Sequence, residues 1–428
     1  MAALLLLSVM LSGAQQVAWV PEVWSSPDPL GEAMLSRGSD QVIPLPESVD
    51  PRLRRWFNRY TRCVAPNGKP LHILAQEGWR DEQILRVRKV LEHMLTDVPG
   101  TRYGSDKAPI ANAMADRRAT LVLFNTARDL ERAFRRGLGE VELGFQDLRA
   151  NECPVEGDPD YLRHETRDAA FEEILHLVHD YGIRPVHPEY DEALHRANLA
   201  AAERGLWHAW PEDEPENHRN EYFAAVYDNF LDLWAVKPLR YEGEVLGEAD
   251  LPDGTSHFGN YGANSRSALA EADPRGLELI AQFFGPSLLY TAELPADFAG
   301  TFSLRVDPKL RYTLKSQHLV NVTLSGTHDS GLAGNDQDNQ LTGNSGNNTL
   351  AGEEGDDTLR GGGGDDHLFG GTGTDVALYS ANASQYRIVR LEEDVVVTDK
   401  RVDGDGTDVL RDVESVRFTD GEVLLPQQ

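Results

Sequence analysis

Residues 169–183 read AAFEEILHLVHDYGI. On a helix, Glu172, His176 and His179 stand at i, i+4 and i+7, within an arc of roughly 60°. Carboxylate oxygens and imidazole nitrogens are ligands for a divalent transition metal, and Glu173, one step round, could take a proton from a bound water. The same stretch also reads as an amphipathic helix whose polar face simply contains acids and histidines. A different oxygen-rich pattern lies in the last quarter of the chain. From Gly334 the sequence divides into blocks of nine: GNDQDNQLT, GNSGNNTLA, GEEGDDTLR, GGGGDDHLF and GGTGTDVAL. The eighth position runs Leu341, Leu350, Leu359, Leu368, Ala377, and the sixth runs Asn339, Asn348, Asp357, Asp366, Asp375.

The period has a physical reading. Six residues turn and three form a short strand, with the eighth-position side chain pointing inward onto its counterparts. Glycines supply left-handed turn angles, and the sixth-position Asp with turn carbonyls offers the hard oxygen shell that Ca²⁺ takes. One turn cannot bury its own apolar face, so several stack. A slacker block from Ser325, SGTHDSGLA, precedes them in register. The pattern resembles the RTX, or hemolysin-type, calcium-binding repeats over residues 325–378. That resemblance implies a parallel β-roll that forms only with calcium, with Asp357, Asp366 and Asp375 as side-chain ligands. Asn339 and Asn348 carry no charge and imply weaker calcium sites.

The helix with acids and histidines is similar to the HExxH segment of zincin peptidases, aligned as Glu172-Glu173-Ile174-Leu175-His176, with glutamate where the first histidine belongs. Downstream, NEYFAAVYDNFLDLW opens a second helix at Glu221. The pair resembles the gluzincin domain of the anthrax lethal factor type over residues 110–235. The resemblance implies Zn²⁺, Glu173 as base, and His176 and Glu221 as ligands, with Glu172 or His179 in the remaining position. Two readings stay open. One is a zinc metallopeptidase acting on a protein or peptide substrate. The other is a calcium-dependent binding or surface-associated protein whose zincin-like domain is catalytically inactive. His164, His187, His195, His208, His218 and His257 are scattered and read as surface or capping residues, and Tyr222 and Tyr227 as core.

The elements that must position these groups follow from periodicity. LHILAQ (71–76) and TLVLFN (120–125) read as strands. Helices are expected from Asp81, at Arg167–Asp180, Glu189–Arg204, Asn220–Leu233 and Pro274–Phe284. Strands first and helices later predict an α+β domain. The chain is thus expected to be multidomain: a signal peptide over 1–14, an extended lead-in over 15–50, an α+β metallopeptidase-like domain over 51–320, the β-roll over 321–380 and a β-strand cap over 381–428.

The net charge is −29, from 70 acidic and 41 basic residues. That excess argues against nucleic acid as a partner and suits calcium ions. The apolar start MAALLLLSVMLSG is too short for a transmembrane anchor and reads as an export signal, so the expected location is extracellular. Nothing in the chain resembles a membrane-inserting segment of a pore former. Cys63 and Cys153, an even pair in an exported chain, are a candidate disulfide or two reduced buried thiols.

Overall fold

The computed structural model describes residues 29–30, 41–209, 218–241 and 244–425. The expected signal peptide and most of the lead-in lie outside the described residues. The chain divides into two units: residues 1–154 with 165–286, and residues 155–164 with 287–428.

The first unit is built on a five-stranded sheet in the order β1 (Ile43–Pro44), β2 (Arg59–Val64), β3 (Pro70–Ala75), β4 (Ala119–Phe124), β5 (Gly144–Arg149). The first three strands pair antiparallel, while β3–β4 and β4–β5 pair parallel. Helices α1 (Asp81–Met94) and α2 (Ala108–Asp116) connect β3 to β4, and α3 (Ala127–Arg135) connects β4 to β5. Parallel neighbours need such crossovers, so this part is α/β, where strands followed by helices had predicted α+β. Strands β3 and β4 are buried at every position, which is why they read as continuous apolar runs.

The helices that follow include α4 (Ala170–Val178), α5 (Pro188–Glu203) and α6 (His218–Phe230). Helix α4 is buried on nearly all sides, with Ala170, Phe171, Ile174, Leu175, Leu177 and Val178 in the core. It packs against α1, α6 and β5. Its start is fixed by Asp168, whose Oδ1 accepts the Ala170 N–H at 3.2 Å while both carboxylate oxygens take the Arg86 guanidinium of α1, at 3.2 and 2.5 Å. A single π-helical turn, His179–Ile183, follows α4 directly.

The second unit is a roll of two seven-stranded sheets. Between Ser330 and Leu378 each circuit of eighteen residues contributes one strand to each sheet. Leu341 registers with Leu359, and Leu332 with Leu350, all in parallel. Leu332, Leu341, Leu350, Leu359 and Leu368 are at most 2% exposed, the stacked inner column that the eighth positions predicted. Burying each such Leu contributes about 1.5–3 kcal/mol.

Two expected boundaries shift. Leu288–Leu294 and Gly300–Ser303 already pair parallel with Leu319–Leu324 and Ser330–Ala333, so the roll architecture begins near residue 288, not near Val320. At the other end, Thr407–Arg411 pairs parallel with His367–Thr372, and Ser415–Phe418 with Val376–Leu378. These are further roll turns inside the span predicted to be a cap. The antiparallel ribbon of Tyr386–Leu391 and Asp394–Asp399 is an insertion between them. Among the described residues, no helix is long and apolar enough to cross a membrane.

Candidate metal centres

Each Asp turn of the roll has the same construction. Asp357, Asp366 and Asp375 use Oδ1 to accept the backbone N–H of Asn339, Asn348 and Asp357, at 2.8, 2.7 and 2.9 Å. Their Oδ2 atoms are buried and meet no hydrogen-bond donor among the described residues. An orphaned buried carboxylate oxygen is costly unless a cation or proton takes it. The first-position glycines leave it room: a Cβ on Gly352, Gly361 or Gly370 would lie 2.0, 2.1 or 2.4 Å from the Oδ2 of Asp357, Asp366 or Asp375. The fourth-position Gly355 and Gly364 sit at φ 114° and 100°, a region closed to most side chains. The residues therefore fit calcium. Burial pushes the carboxyl of Asp357 up to about 7 and those of Asp366 and Asp375 to about 6.

The two asparagine turns are closed differently. Asn339 accepts the Asn335 N–H on Oδ1 at 2.8 Å, and its Nδ2 donates to Asn335 Oδ1 at 3.1 Å. Asn348 accepts the Asn344 N–H at 2.7 Å and donates to the Ser330 carbonyl at 3.3 Å. An amide N–H takes up oxygens that a cation would otherwise bind.

Two ligand candidates escaped the sequence reading. Asp408 Oδ1 accepts the Asp366 N–H at 3.0 Å, and Glu414 Oε2 accepts the Asp375 N–H at 2.6 Å. Both extend the ladder beyond the inserted ribbon. For Asp408 the signal was present in DGDGTDVLR (403–411), one more block with Gly406 fourth, Asp408 sixth and Leu410 eighth.

In the first unit, Glu172, His176 and Glu221 converge, with one ligand atom from each within 4.8 Å of the others. His176 Nε2 is 3.6 Å from Glu221 Oε1. Helix α4 supplies the first two and the first turn of α6 the third. Glu173 turns toward β5, where Gln146 Nε2 donates to its Oε2 at 2.6 Å. Glu172 carries a buried ion pair from Arg167 to its Oε2. Arg167 is also 3.8 Å from Glu152, which Arg149 grips at 2.6 Å. A nitrogen with two carboxylates suits a divalent cation, and His176 Nδ1 is buried with no hydrogen bond among the described residues. The donor set fits such an ion.

Burial, reinforced by the charge of Glu172, pushes the Glu173 carboxyl well above its ordinary range. Burial alone would raise Glu172, but Arg167, with His257 and His176, holds it down at about 2. Burial would depress His176, yet Glu221, Glu173 and Glu172 push it up to about 9.

His179 does not join the cluster. Its Nδ1 is 2.8 Å from Asn220 Oδ1 and its Nε2 3.0 Å from Asp191 Oδ1, so both nitrogens are engaged and the ring ties α4 to α5 and α6. Of the two alternatives for the cysteines, the candidate disulfide is likewise not formed. Cys63 and Cys153 are separate buried thiols; Cys63 faces the Arg88 carbonyl and Cys153 the Arg86 guanidinium. Tyr222 donates to Asp273 at 2.6 Å and is a core residue, as read.

His257, read as a surface or capping residue, is instead 4% exposed. It forms a second three-residue group with Glu172 and Asp228, again with ligand atoms within 4.8 Å. No local spacing signals this, because the three come from distant elements. His257 and Phe258 both adopt left-handed backbone angles, φ 48° and 55°.

Among solved structures, an extracellular lipase, LipA from Serratia marcescens, is matched at 23% identity and a TM-score of 0.20, over 21% of this chain and 14% of the lipase. The chain thus spans a small part of that protein's length. No curated protein matches the sequence. The family of the RTX calcium-binding nonapeptide repeat matches residues 330–358 and 342–377, in four copies. With the eighteen-residue circuits and their orphaned carboxylates, this makes the C-terminal region an array of RTX calcium-binding nonapeptide repeats.

Proposed function

We propose that the chain is an exported calcium-dependent protein whose α/β unit holds a divalent-metal hydrolytic centre. The carrying observation is the convergence of Glu172, His176 and Glu221. Calcium would enter at Asp357, Asp366 and Asp375, and continue at Asp408 and Glu414. With the Asp oxygens neutralised, stacked turns can close on the Leu column. Zinc is the cation that the zincin resemblance implies for the α/β centre.

Each residue has a defined task in that reading. Glu172, His176 and Glu221 would hold the ion. The chemistry it would supply there is an acidified water and a polarised carbonyl. The positive charge of an ion in the cluster would draw the raised Glu173 carboxyl back to its ionised form; Glu173 would then accept a proton at a carboxylate oxygen, with Gln146 fixing the orientation of that carboxylate, and pass it to the leaving amine. Peptide hydrolysis is the reaction class that the resemblance suggests.

One observation favours a second reading. The Arg167 guanidinium already neutralises Glu172, as it would in a domain that kept its fold after losing its metal. The chain would then be a calcium-dependent binding protein. Elemental analysis of the calcium-loaded protein separates the two. One or more equivalents of zinc, reduced by His176→Ala, support the hydrolytic centre. A zinc-free wild type after incubation with zinc rejects it and leaves the binding protein.

A further inference from the structure

The two three-residue groups of the α/β unit share Glu172. On one side stand His176 and Glu221, and on the other Asp228 and His257. We propose that this is a two-cation centre, with the Glu172 carboxylate bridging one ion held by His176 and Glu221 and a second held by Asp228 and His257. The proposal rests on the centre described under the proposed function and adds a second ion to it.

The second half has the marks of a built site. Asp228 is 1% and His257 4% exposed. Neither Asp228 Oδ1 nor His257 Nε2 has a hydrogen bond among the described residues, although the imidazole nitrogen faces the other carboxylate oxygen, Oδ2, at 3.5 Å. Both groups are held from behind. Trp234 Nε1 donates to Asp228 Oδ2 at 3.1 Å, and His257 Nδ1 meets Ser256 Oγ at 3.2 Å. Ser256 Oγ in turn accepts from Asn229 Nδ2 at 2.9 Å. A metal-binding imidazole is ordinarily fixed in this way through its second nitrogen.

Glu172 can serve both ions. Arg167 occupies one lone pair of Oε2, and a carboxylate offers about four. The complete donor set is three carboxylates and two imidazoles, which suits zinc, manganese or cobalt. Paired ions about 3.5–4 Å apart recur in hydrolytic centres, where they clamp attacking and leaving oxygens together.

The test uses the full chain, kept in calcium, stripped of transition metals with a chelator that binds calcium weakly, and loaded with Co²⁺ or Zn²⁺ alone. Elemental analysis should give two equivalents per chain. His257→Ala and the isosteric Asp228→Asn should each retain one, and His176→Ala should also retain one. Thermal unfolding identifies any variant that fails to fold, so Asp228→Asn keeps the test usable if His257→Ala is unstable. One equivalent in the wild type, lost in His176→Ala and kept in Asp228→Asn, overturns the second ion and leaves the proposed function standing. One equivalent lost in Asp228→Asn but kept in His176→Ala, or none at all, overturns both. Two equivalents unaffected by Asp228→Asn and His257→Ala also overturn the proposal.

Discussion

The backbone N–H of Asn339 donates to Oδ1 of Asp357 at 2.8 Å, across eighteen residues of sequence. The same bond runs from Asp357 to Asp375, and from Asp366 across forty-two residues to Asp408. Asp357 and Asp375 thereby lock the preceding circuit with one oxygen and present the other to a buried space. The roll is thus a ladder in which each ligand is also a rung.

Asp375→Asn should remove a charged ligand while keeping the rung, because an amide oxygen can still accept the Asp357 N–H. Calcium titration followed by circular dichroism should then show a higher midpoint and one fewer tight site by calorimetry. A site filled at one hundred times its dissociation constant contributes about 2.7 kcal/mol, so the calcium-loaded variant should lose stability of that order. The reverse change, Asn339→Asp, replaces an amide donor with a carboxylate and should add a calcium ion. An unchanged stoichiometry in both variants would show that the sixth positions do not bind calcium.

Protons should substitute for calcium in the apo roll. Burial lifts Asp357 to about 7, Asp366 and Asp375 to about 6, and Asp408 to about 8. Unfolded Asp titrates near about 3.9. Raised folded-state values mean that the folded roll binds more protons than the unfolded chain between these limits. Their contribution to stability is therefore complete below about pH 4 and is lost as pH rises through about 6 to 8. Calcium-free protein should show β structure near pH 5 that disappears by pH 8, and calcium affinity should fall as pH falls. Calcium-free spectra identical at the two pH values would contradict this.

How far the fold could be read in advance depended on whether a signal was local. Leu341 to Leu368 repeat every nine residues, and that period fixed both the strand spacing and the inward face. Helices α1, α5 and α6 were visible from apolar spacing. The turn at Asp408 was hidden because a ribbon, Tyr386–Asp399, interrupts the period, although its own block is intact. The parallel strands before Val320 carry no glycine-rich turn and so no visible period. At the α/β centre, Glu172, Glu173 and His176 lie on one helix and were legible, whereas His257 arrives from a short 3-10 turn, eighty-five residues after Glu172. Side-chain partners decided the rest: Arg167 on Glu172 and Asp191 on His179 are tertiary facts with no local signature.

Arg167→Met should separate a guanidinium-neutralised centre from a metal-neutralised one. It leaves the buried Glu172 without its counter-ion and weakens the hold on Glu152. Breaking a buried pair on one side costs about 3–5 kcal/mol. In metal-free protein, urea unfolding should register a loss of that size. If Glu172 ligates a cation, added zinc should restore part of the loss, whereas an equal loss with and without zinc would assign Arg167 as the permanent partner.

His179 supplies the sharpest contrast with its neighbour one helical turn earlier. Both histidines lie on the same helical segment, and spacing alone made both candidate ligands. Yet His179 spends both nitrogens on Asn220 and Asp191, while His176 Nδ1 has no hydrogen bond among the described residues. His179→Ala would leave two buried polar groups short of a partner, at about 1–3 kcal/mol. It should therefore lower the unfolding midpoint and leave the zinc content of the folded protein unchanged. His176→Ala should do the opposite, lowering the zinc content with a smaller effect on the metal-free midpoint. Zinc lost from a stably folded His179→Ala protein would restore His179 as a ligand and show that the metal-bound arrangement differs from the one described.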